Sequence, residues 1–334
     1  MRVGKFPASL MERLLSKVDV SDPRVLLGPA VGEDVAVLDY GDRVLVAKSD
    51  PVTFATHRAG WHAVHVNAND VVCAGAVPRW FLATLMVPEN TSELDAEDVF
   101  GQVLEACASL GVTLIGGHSE VTLGITQPIV AGCMLGEADK GKLVHTGGAM
   151  QGDTIVLTKG IALEGTALLA WDAAEWLARA GVNPGTIDSA RELLTAPGIS
   201  VVKEALSACS TVRVNSLHDP TEGGLLTGIR EIASASGLGI RIKLESIPVL
   251  NETHEICHRL GLNPLGLLAS GALLITLPAP DVRNVINSIT MLGCEVSDIG
   301  EITPLEQGMV LVTNAGDEDL PEFSRDELAR FLSS

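Results

Sequence analysis

Apolar residues recur along this chain at two spacings, and the switches between the two mark its elements. Leu10, Met11, Leu14, Leu15 and Val18 fall at helical spacing, after which Asp22-Pro23 and Gly28-Pro29 break the pattern. Runs at 35–38 and 43–48 predict strands, and Asp39-Tyr40-Gly41-Asp42 predicts a hairpin between them. Residues 61–76 then read as a helix closed by Gly75 and Pro78, and 79–87 as a strand. A helix over 93–110 has Thr91 or Ser92 as its N-cap and Gly111 just past its end. Further strands are predicted at 112–115 and 127–135.

Between 138 and 152 the periodicity lapses into Lys, Gly and Thr, which places a domain boundary there. The expected domains are 1–145 and 150–334. In the second, strands at 153–158, 212–217, 239–244, 272–277 and 295–302 alternate with helices at 163–180, 188–194, 201–207, 223–235, 251–260 and 282–292. The tail from 303 carries one strand-like run at 309–312 and a short helix near 325–332. The fold class is α/β (α+β) in two domains, each able to form its own core at this length of 334 residues.

Composition narrows the function. A formal charge of −19 argues against nucleic acid and anionic membrane as partners, because the strongest basic grouping is only Lys140, Lys142 and His145. The six cysteines include no C-x-x-C pair, and no apolar run approaches the ~18 residues of a membrane span. The chain reads as cytoplasmic, with reduced and mostly buried thiols.

The acidic residues are more informative than their total. Glu33, Asp34, Asp50, Asp70, Glu120, Asp219 and Glu222 lie in short segments where a strand ends or a helix begins. Carboxylates that converge repel unless a cation sits among them, and Mg²⁺ favours one or two carboxylates plus phosphate oxygens. Asn67-Ala68-Asn69-Asp70 puts three polar side chains into a helix. They are either ligands for a hard cation and its waters or a buried hydrogen-bond network. Gly116-Gly117-His118-Ser119-Glu120 follows a short strand, and its glycines let backbone N–H groups approach an anion. Asp219-Pro220-Thr221-Glu222-Gly223-Gly224 leads into a helix whose N-terminus favours phosphate, with Thr221 a candidate N-cap. Lys159 is either a phosphate contact or a plain surface lysine. Histidines 57, 62, 65, 118 and 218 lack diagnostic zinc spacing. There is no G-x-x-x-x-G-K-[ST], G-x-G-x-x-G or G-x-S-x-G.

In this order, these segments resemble the aminoimidazole ribonucleotide (AIR) synthase superfamily, which includes thiamine monophosphate kinase, selenophosphate synthetase and HypE. The likeness runs from Gly32 to about Ile302. It is nearest to HypE-like members through Asp70-Val-Val-Cys-Ala-Gly-Ala-Val-Pro, His218-Asp-Pro-Thr-Glu-Gly-Gly-Leu and Ser270-Gly-Ala-Leu-Leu-Ile. The resemblance implies N-terminal domains that pair across a homodimer into a β-barrel, with ATP and Mg²⁺ beside it. It implies Asp34, Asp50, Asp70 and Asp219 as metal ligands. Asp34, Ser49, Asn67, Gly116, Gly117, Thr221 and Glu222 are the candidate nucleotide contacts, and His118, Glu120 and Lys159 the candidate catalytic residues. The implied chemistry is phosphoryl transfer to, or activation of, a carbonyl, amide or other acceptor, small molecule or protein.

This sequence departs from the pattern in two places. It has His118 where several relatives carry an acid after the glycine pair, and it ends Arg330-Phe-Leu-Ser-Ser where HypE ends in a carbamoyl-carrying cysteine. The expectation is therefore a separate, diffusible acceptor. The other readings are an ATP-binding scaffold or maturation factor that uses the tail from 303 as its contact segment, and a metal-dependent hydrolase without nucleotide.

Overall fold

The computed structural model describes residues 6, 8–30, 34–53 and 57–333, so Glu33 lies outside the described residues. The chain divides into two compact units, Ala8–Leu143 and Val144–Ser334, and each is described by itself.

The first unit opens with helix α1 (Ala8–Leu15). It continues through β1 (Val25–Leu27), β2 (Ala36–Tyr40), β3 (Arg43–Val52), α2 (Ala59–Cys73), β4 (Val77–Pro88), α3 (Glu93–Leu110), β5 (Thr113–Thr122) and β6 (Ile129–Asp139). The strands form one sheet in the order β1-β2-β3-β6-β4-β5. Neighbours are antiparallel except β4 and β5, which are parallel and joined through α3 as such a pair requires. Both the β2–β3 hairpin and the start and stop of α3 follow the sequence signals. The Ser92 hydroxyl caps the Asp95 N–H, and Gly111 takes the left-handed conformation that closes the helix. The sheet is open, with β1 and β5 as its edges, so one chain does not form a barrel.

Helix α2 decides how this unit packs. Only Val66 and Cys73 among its residues escape full burial, because it touches β3, β4 and β6 as well as α3. Along β6 burial alternates, with Val130, Gly132, Met134, Gly136 and Ala138 buried. At Gly132 the missing side chain is what lets α2 approach: an added Cβ would lie 2.6 Å from Asn67 Nδ2 and 2.6 Å from the Phe81 ring. On the opposite face Leu45, Trp80, Leu82, Met86, Cys133 and Leu135 are only half-buried.

The second unit carries β7 (Asp153–Thr158), α4 (Leu163–Asp172), α5 (Ala174–Arg179), α6 (Pro184–Glu192), α7 (Val202–Thr211), β8 (Ser216–His218), α8 (Gly224–Ser236), β9 (Gly239–Lys243) and α9 (Asn251–Leu260). After these come β10 (Leu274–Pro278), α10 (Val282–Thr290), β11 (Val296–Thr303), β12 (Met309–Thr313), β13 (Gly316–Asp319) and α11 (Glu327–Leu332). Its sheet order is β13-β12-β9-β11-β7-β10-β8, and only β12–β9 is parallel. Ile155, Leu157, Ile229, Ile240, Ile242, Leu274 and Ile299 form the centre of its core.

Four sequence expectations need adjusting. The helix expected at 163–180 breaks into α4 and α5 at Ala173, whose φ of −119° and ψ of 22° leave the helical region. The strand expected at 212–217 is shorter and later. Helix α6 starts at Pro184, capped by Asn183, within the expected loop. The tail does not stand free. Arg230 donates to the carbonyls of Pro321 and Leu320, Phe323 packs on Gly266, and Phe331 meets Trp176 edge-on with ring centroids 6.2 Å apart. Most of a contact segment reserved for a partner is therefore already engaged within its own unit. No described helix is long and apolar enough to cross a membrane.

The packing at Gly132 yields a paired test. Gly132→Ala should destabilise the protein by about 1–3 kcal/mol through overpacking. Gly101→Ala, in α3 with nothing within 4 Å of its added Cβ, should stabilise it by about 0.5–1 kcal/mol. Urea denaturation of both variants checks the pair, and equal midpoints would contradict the close contact of α2 with β6.

Candidate functional site

Strand β3 runs past its expected end at Lys48, so Ser49 and Asp50 also lie within it, and Lys48, Ser49 and Asp50 stand opposite Met134, Cys133 and Gly132 of β6. Alternation sends Lys48 and Asp50 to one face and Ser49 to the other. The Ser49 hydroxyl donates to the Gly132 carbonyl at 2.9 Å and is not brought into the acidic cluster. Lys48 is. Its Nζ lies 3.0 Å from Asp70 Oδ2, 3.1 Å from Asp50 Oδ2 and 4.0 Å from Asp34 Oδ1, with the side chain 10% exposed.

Asn67, one helical turn before Asp70, sets the geometry. Its Oδ1 accepts from the Asp50 N–H at 2.9 Å, and its Nδ2 donates to the Asp50 carbonyl at 3.1 Å and to the Ala63 carbonyl at 2.8 Å. The amide is thus committed to holding β3 against α2, which makes Asn67 a positioning residue in this state. Of the two sequence readings for this stretch, the buried network describes Asn67, and the ionic site describes Asp70.

The charges are not balanced. Burial pushes the Asp70 carboxyl well above the usual carboxylate range; Lys48 pulls it down, while Asp34 and Asp50 push it further up. For Lys48, burial works against the ammonium, but Asp70, Asp50 and Asp34 together hold its pKa above the ordinary lysine value. One ammonium stands among three carboxyl groups, more than it can pair at full charge.

His118 and Glu120 sit on β5, which extends through the whole Gly-Gly-His-Ser-Glu segment instead of ending before it. The strand can do so because Gly116 and Gly117 adopt φ of 152° and 146°, and a Cβ on Gly117 would lie 1.8 Å from the Ala83 carbonyl oxygen. Gly117 therefore serves the close approach of β5 to β4. His118 Nε2 lies 3.2 Å from Glu120 Oε2, and the Thr122 hydroxyl donates to Glu120 Oε1 at 2.6 Å. The Thr122 and His118 hydrogen bonds hold the Glu120 carboxyl below the usual range. All three are on one edge strand, with His118 and Glu120 exposed.

In the second unit Asp219 is buried just after β8, and its neighbour His218 places Nε2 2.9 Å from Glu231 Oε2 on α8. Thr221 does not cap α8. Gly223, at the N-cap position, and Gly224, the first residue of α8, both take left-handed conformations, leaving Thr221 too far upstream, and its carbonyl instead accepts from Gly224 and Ala269 N–H. The Gly223 N–H donates to Asp326 Oδ2 of the tail at 2.7 Å. Burial raises the Asp326 carboxyl to about 6, against the pull of the N–H groups of Gly223, Leu328 and Leu268 and with a further push from Glu222.

Lys159 is neither a surface lysine nor poised for phosphate. Its ammonium is buried, 2.9 Å from Glu204, and donates to the carbonyls of Gly198 (3.2 Å), Gly271 (3.1 Å) and Ser200. With every N–H engaged, it ties together three segments of its own unit. Burial pushes the thiols of Cys107, Cys209 and Cys294 up to about 11, which gives no support to thiolate chemistry there.

Lys48 and Asp326 went unassigned in the sequence. The i, i+2 spacing of Lys48 and Asp50 in a strand was the available signal for the first. Asp326 carries an ordinary N-cap signal for α11, confirmed by the Leu328 N–H bond at 2.7 Å, but its second bond crosses 103 positions.

Residues 32–138 match the AIR synthase related protein N-terminal domain, and residues 150–312 match the corresponding C-terminal domain. The chain belongs to the AIR synthase related family. It is 26% identical over 321 residues to a putative hydrogenase expression/formation protein of Methanocaldococcus jannaschii, covering 94% of this chain and 92% of that one. It is 29% identical to the carbamoyl dehydratase HypE of Cupriavidus necator (81% and 77% covered) and 26% identical to the thiamine-monophosphate kinase of Aquifex aeolicus (72% and 77%). Among solved structures, E. coli HypE superposes with a TM-score of 0.75 at 21% identity, covering 93% and 96% of the two chains. HypE in complex with ATP superposes at 0.67 and 22%, covering 95% and 96%. These last two likenesses establish the fold.

Lys159→Met should cost about 3–5 kcal/mol of stability by stranding Glu204 in the interior, while the folded fraction keeps its affinity for nucleotide. Chemical denaturation and calorimetry separate the two effects. Full stability with lost nucleotide binding would return Lys159 to the phosphate-contact role.

Proposed function

We propose that this chain is an ATP-dependent, Mg²⁺-using enzyme that transfers a phosphoryl group to, or otherwise activates, a carbonyl, amide or other acceptor oxygen. The observation that carries the reading is the convergence of Asp34, Asp50 and Asp70 on the buried Lys48 ammonium, with Asp70 buried and Asp34 and Asp50 nearly half exposed. Among family members, a HypE structure is described in complex with ATP, and thiamine-monophosphate kinase is named for phosphoryl transfer.

The donors fit Mg²⁺ in kind, since all are hard carboxylate oxygens. Among the described residues no three His, Cys, Asp or Glu side chains form a ready cage. A Mg²⁺ held by one or two carboxylates and by phosphate oxygens needs none. Asp34, Asp50 and Asp70 would hold it in the first unit, and Asp219 is the candidate in the second. Bound metal supplies the charge that lets a polyphosphate approach acidic side chains.

The chain's own residues do the rest. Asn67 fixes the Asp50 backbone, Lys48 keeps Asp50 and Asp70 from repelling one another, and burial beneath α2 shields the Lys48–Asp70 pair from solvent, where charges act more strongly, while Asp34 and Asp50 face the open side. Glu120 orients the His118 imidazole, and histidine is the residue type best able to exchange a proton near neutral pH. Thr221 and Glu222 are proposed nucleotide contacts at the start of α8.

The functional unit is proposed to be a homodimer. The sheet face opposite α2 carries half-buried Leu45, Trp80, Leu82, Met86 and Leu135, and edge strand β5 exposes Ile115 and Val121. Such a face is normally covered. A second copy is the occupant proposed, because the face is made of the same apolar strands in each chain.

Two outcomes are expected. At ~100 times its dissociation constant, ATP with Mg²⁺ should stabilise the protein by about 2.7 kcal/mol in thermal denaturation, and ATP with EDTA much less. Asp70→Asn should lose most of this stabilisation and Asp95→Asn, on the first turn of α3, should keep it. No nucleotide effect with Mg²⁺ present would contradict the reading. Ultracentrifugation at micromolar concentration should give a dimer that Leu135→Glu dissociates; a wild-type monomer would contradict the proposed interface.

A further inference from the structure

Helix α9 carries two metal-ligating side chains that lie outside the carboxylate site. His254 and His258 are four positions apart, so they stand one above the other on one side of the helix, and both are exposed. Their ring centroids are 6.3 Å apart, with the planes 11° from parallel. Among the described residues neither ring has a hydrogen-bond or ion-pair partner, so both can turn. The helix that carries them is fixed. Its buried side packs through Thr253, Ile256 and Cys257, and Thr253 Oγ1 lies 2.8 Å from Thr166 Oγ1 of α4. Glu255 accepts from the Thr186 hydroxyl at 2.6 Å and from the Asn183 N–H at 3.1 Å. Just past the end of α9, the Gly261 carbonyl accepts from Arg330 of α11 at 2.8 Å.

We propose that His254 and His258 chelate a late first-row divalent cation such as Zn²⁺ on the outer side of α9. Imidazole nitrogen suits zinc, copper and nickel, whereas Mg²⁺ takes oxygen, so this pair and the carboxylates around Lys48 select different ions. Two nitrogens bound to one ion at about 2.0–2.1 Å each lie roughly 3 Å apart. Rings on adjacent helical turns reach that separation by turning about their own side-chain bonds, with no movement of the backbone. Glu255 stands between them in sequence but is committed to Thr186 and Asn183, so water completes the shell. A favourable contact with the helix C-terminus would account for His258, in the last turn, but not for His254 one turn earlier. The bound ion ties two turns of α9 together. This site is independent of the nucleotide reading above.

Zn²⁺ serves as the probe, with Mg²⁺ in excess to occupy oxygen sites. Full-length wild type, His254→Gln, His258→Gln and the double variant are titrated by calorimetry. Chelation needs both rings at once. Each single variant should therefore lose the wild-type site as completely as the double variant does, with affinity weakened about tenfold or more, since removing even a group that only orients a ligand costs that much. Hydrogen exchange is followed in parallel on the same four proteins. Zn²⁺ should slow exchange of the α9 amides in wild type and leave them unchanged in all three variants.

Equal Zn²⁺ binding by wild type and the double variant would overturn the proposal, because any zinc bound would then sit elsewhere. Single variants that each keep half of the lost binding would overturn it too, since the two rings would be acting as separate weak ligands. Binding lost in every variant but without slower exchange in α9 would also contradict it, because an ion held by both rings must restrain the turns between them.

Discussion

Lys48 carries its ammonium beneath α2, 3.0 Å from Asp70 and 3.1 Å from Asp50, and the meeting of β3, α2 and β6 follows from keeping it there. A charge this buried is tolerable only if paired and hydrogen-bonded. The pairing requires Asp70 on the inner face of a helix that also buries His62, His65, Asn67 and Asn69. It also requires the helix to lie close to the sheet, which Gly132 permits by leaving room for Asn67. The Asn67 amide then sets the register between helix and strand by binding both backbone groups of Asp50. Packing, polar satisfaction and candidate chemistry therefore share the same few residues, and a change at any of them is felt by the others.

The second unit solves a similar problem with a different device. Lys159 and Glu204 form a buried pair whose remaining hydrogen bonds go to carbonyls of Gly198, Ser200 and Gly271. Here the ion pair joins segments and leaves no charge to attract a ligand. The contrast shows why composition alone does not separate structure from chemistry. Lys48 stands among more carboxylates than it can neutralise, whereas Lys159 faces one carboxylate and is saturated by backbone. The tail adds Asp326, whose carboxylate receives the Gly223 N–H at the entry to α8 and binds the end of the chain to the segment holding Asp219, Thr221 and Glu222.

Much of this was legible in the sequence where the signal is local. The β2–β3 hairpin, the caps of α3 and the alternation of strands and helices in both halves follow from turn residues, capping residues and periodicity. The ordered acidic segments carried the family resemblance. What escaped is non-local. The extension of β3 beyond Lys48 through Ser49 and Asp50 depends on pairing with β6, more than 80 positions away, and only that extension puts Asp50 on the face of Lys48 and Ser49 on the other. In the same way β5 runs on through two glycines because β4 leaves room for no side chain at Gly117. Thr221 looked like a helix cap because Thr before a helix usually is one, and two left-handed glycines moved the helix start beyond its reach.

The central claim is that the carboxylates around Lys48 receive a metal–nucleotide complex. The most direct measurement is anomalous diffraction from crystals of the full chain grown with Mn²⁺ and a non-hydrolysable ATP analogue. The account predicts a manganese peak within bonding distance of carboxylate oxygens from Asp34, Asp50 or Asp70, with nucleotide phosphate oxygens completing its shell and Lys48 still paired to Asp70. A nucleotide bound elsewhere in the chain, with no metal at these three carboxylates, would contradict it.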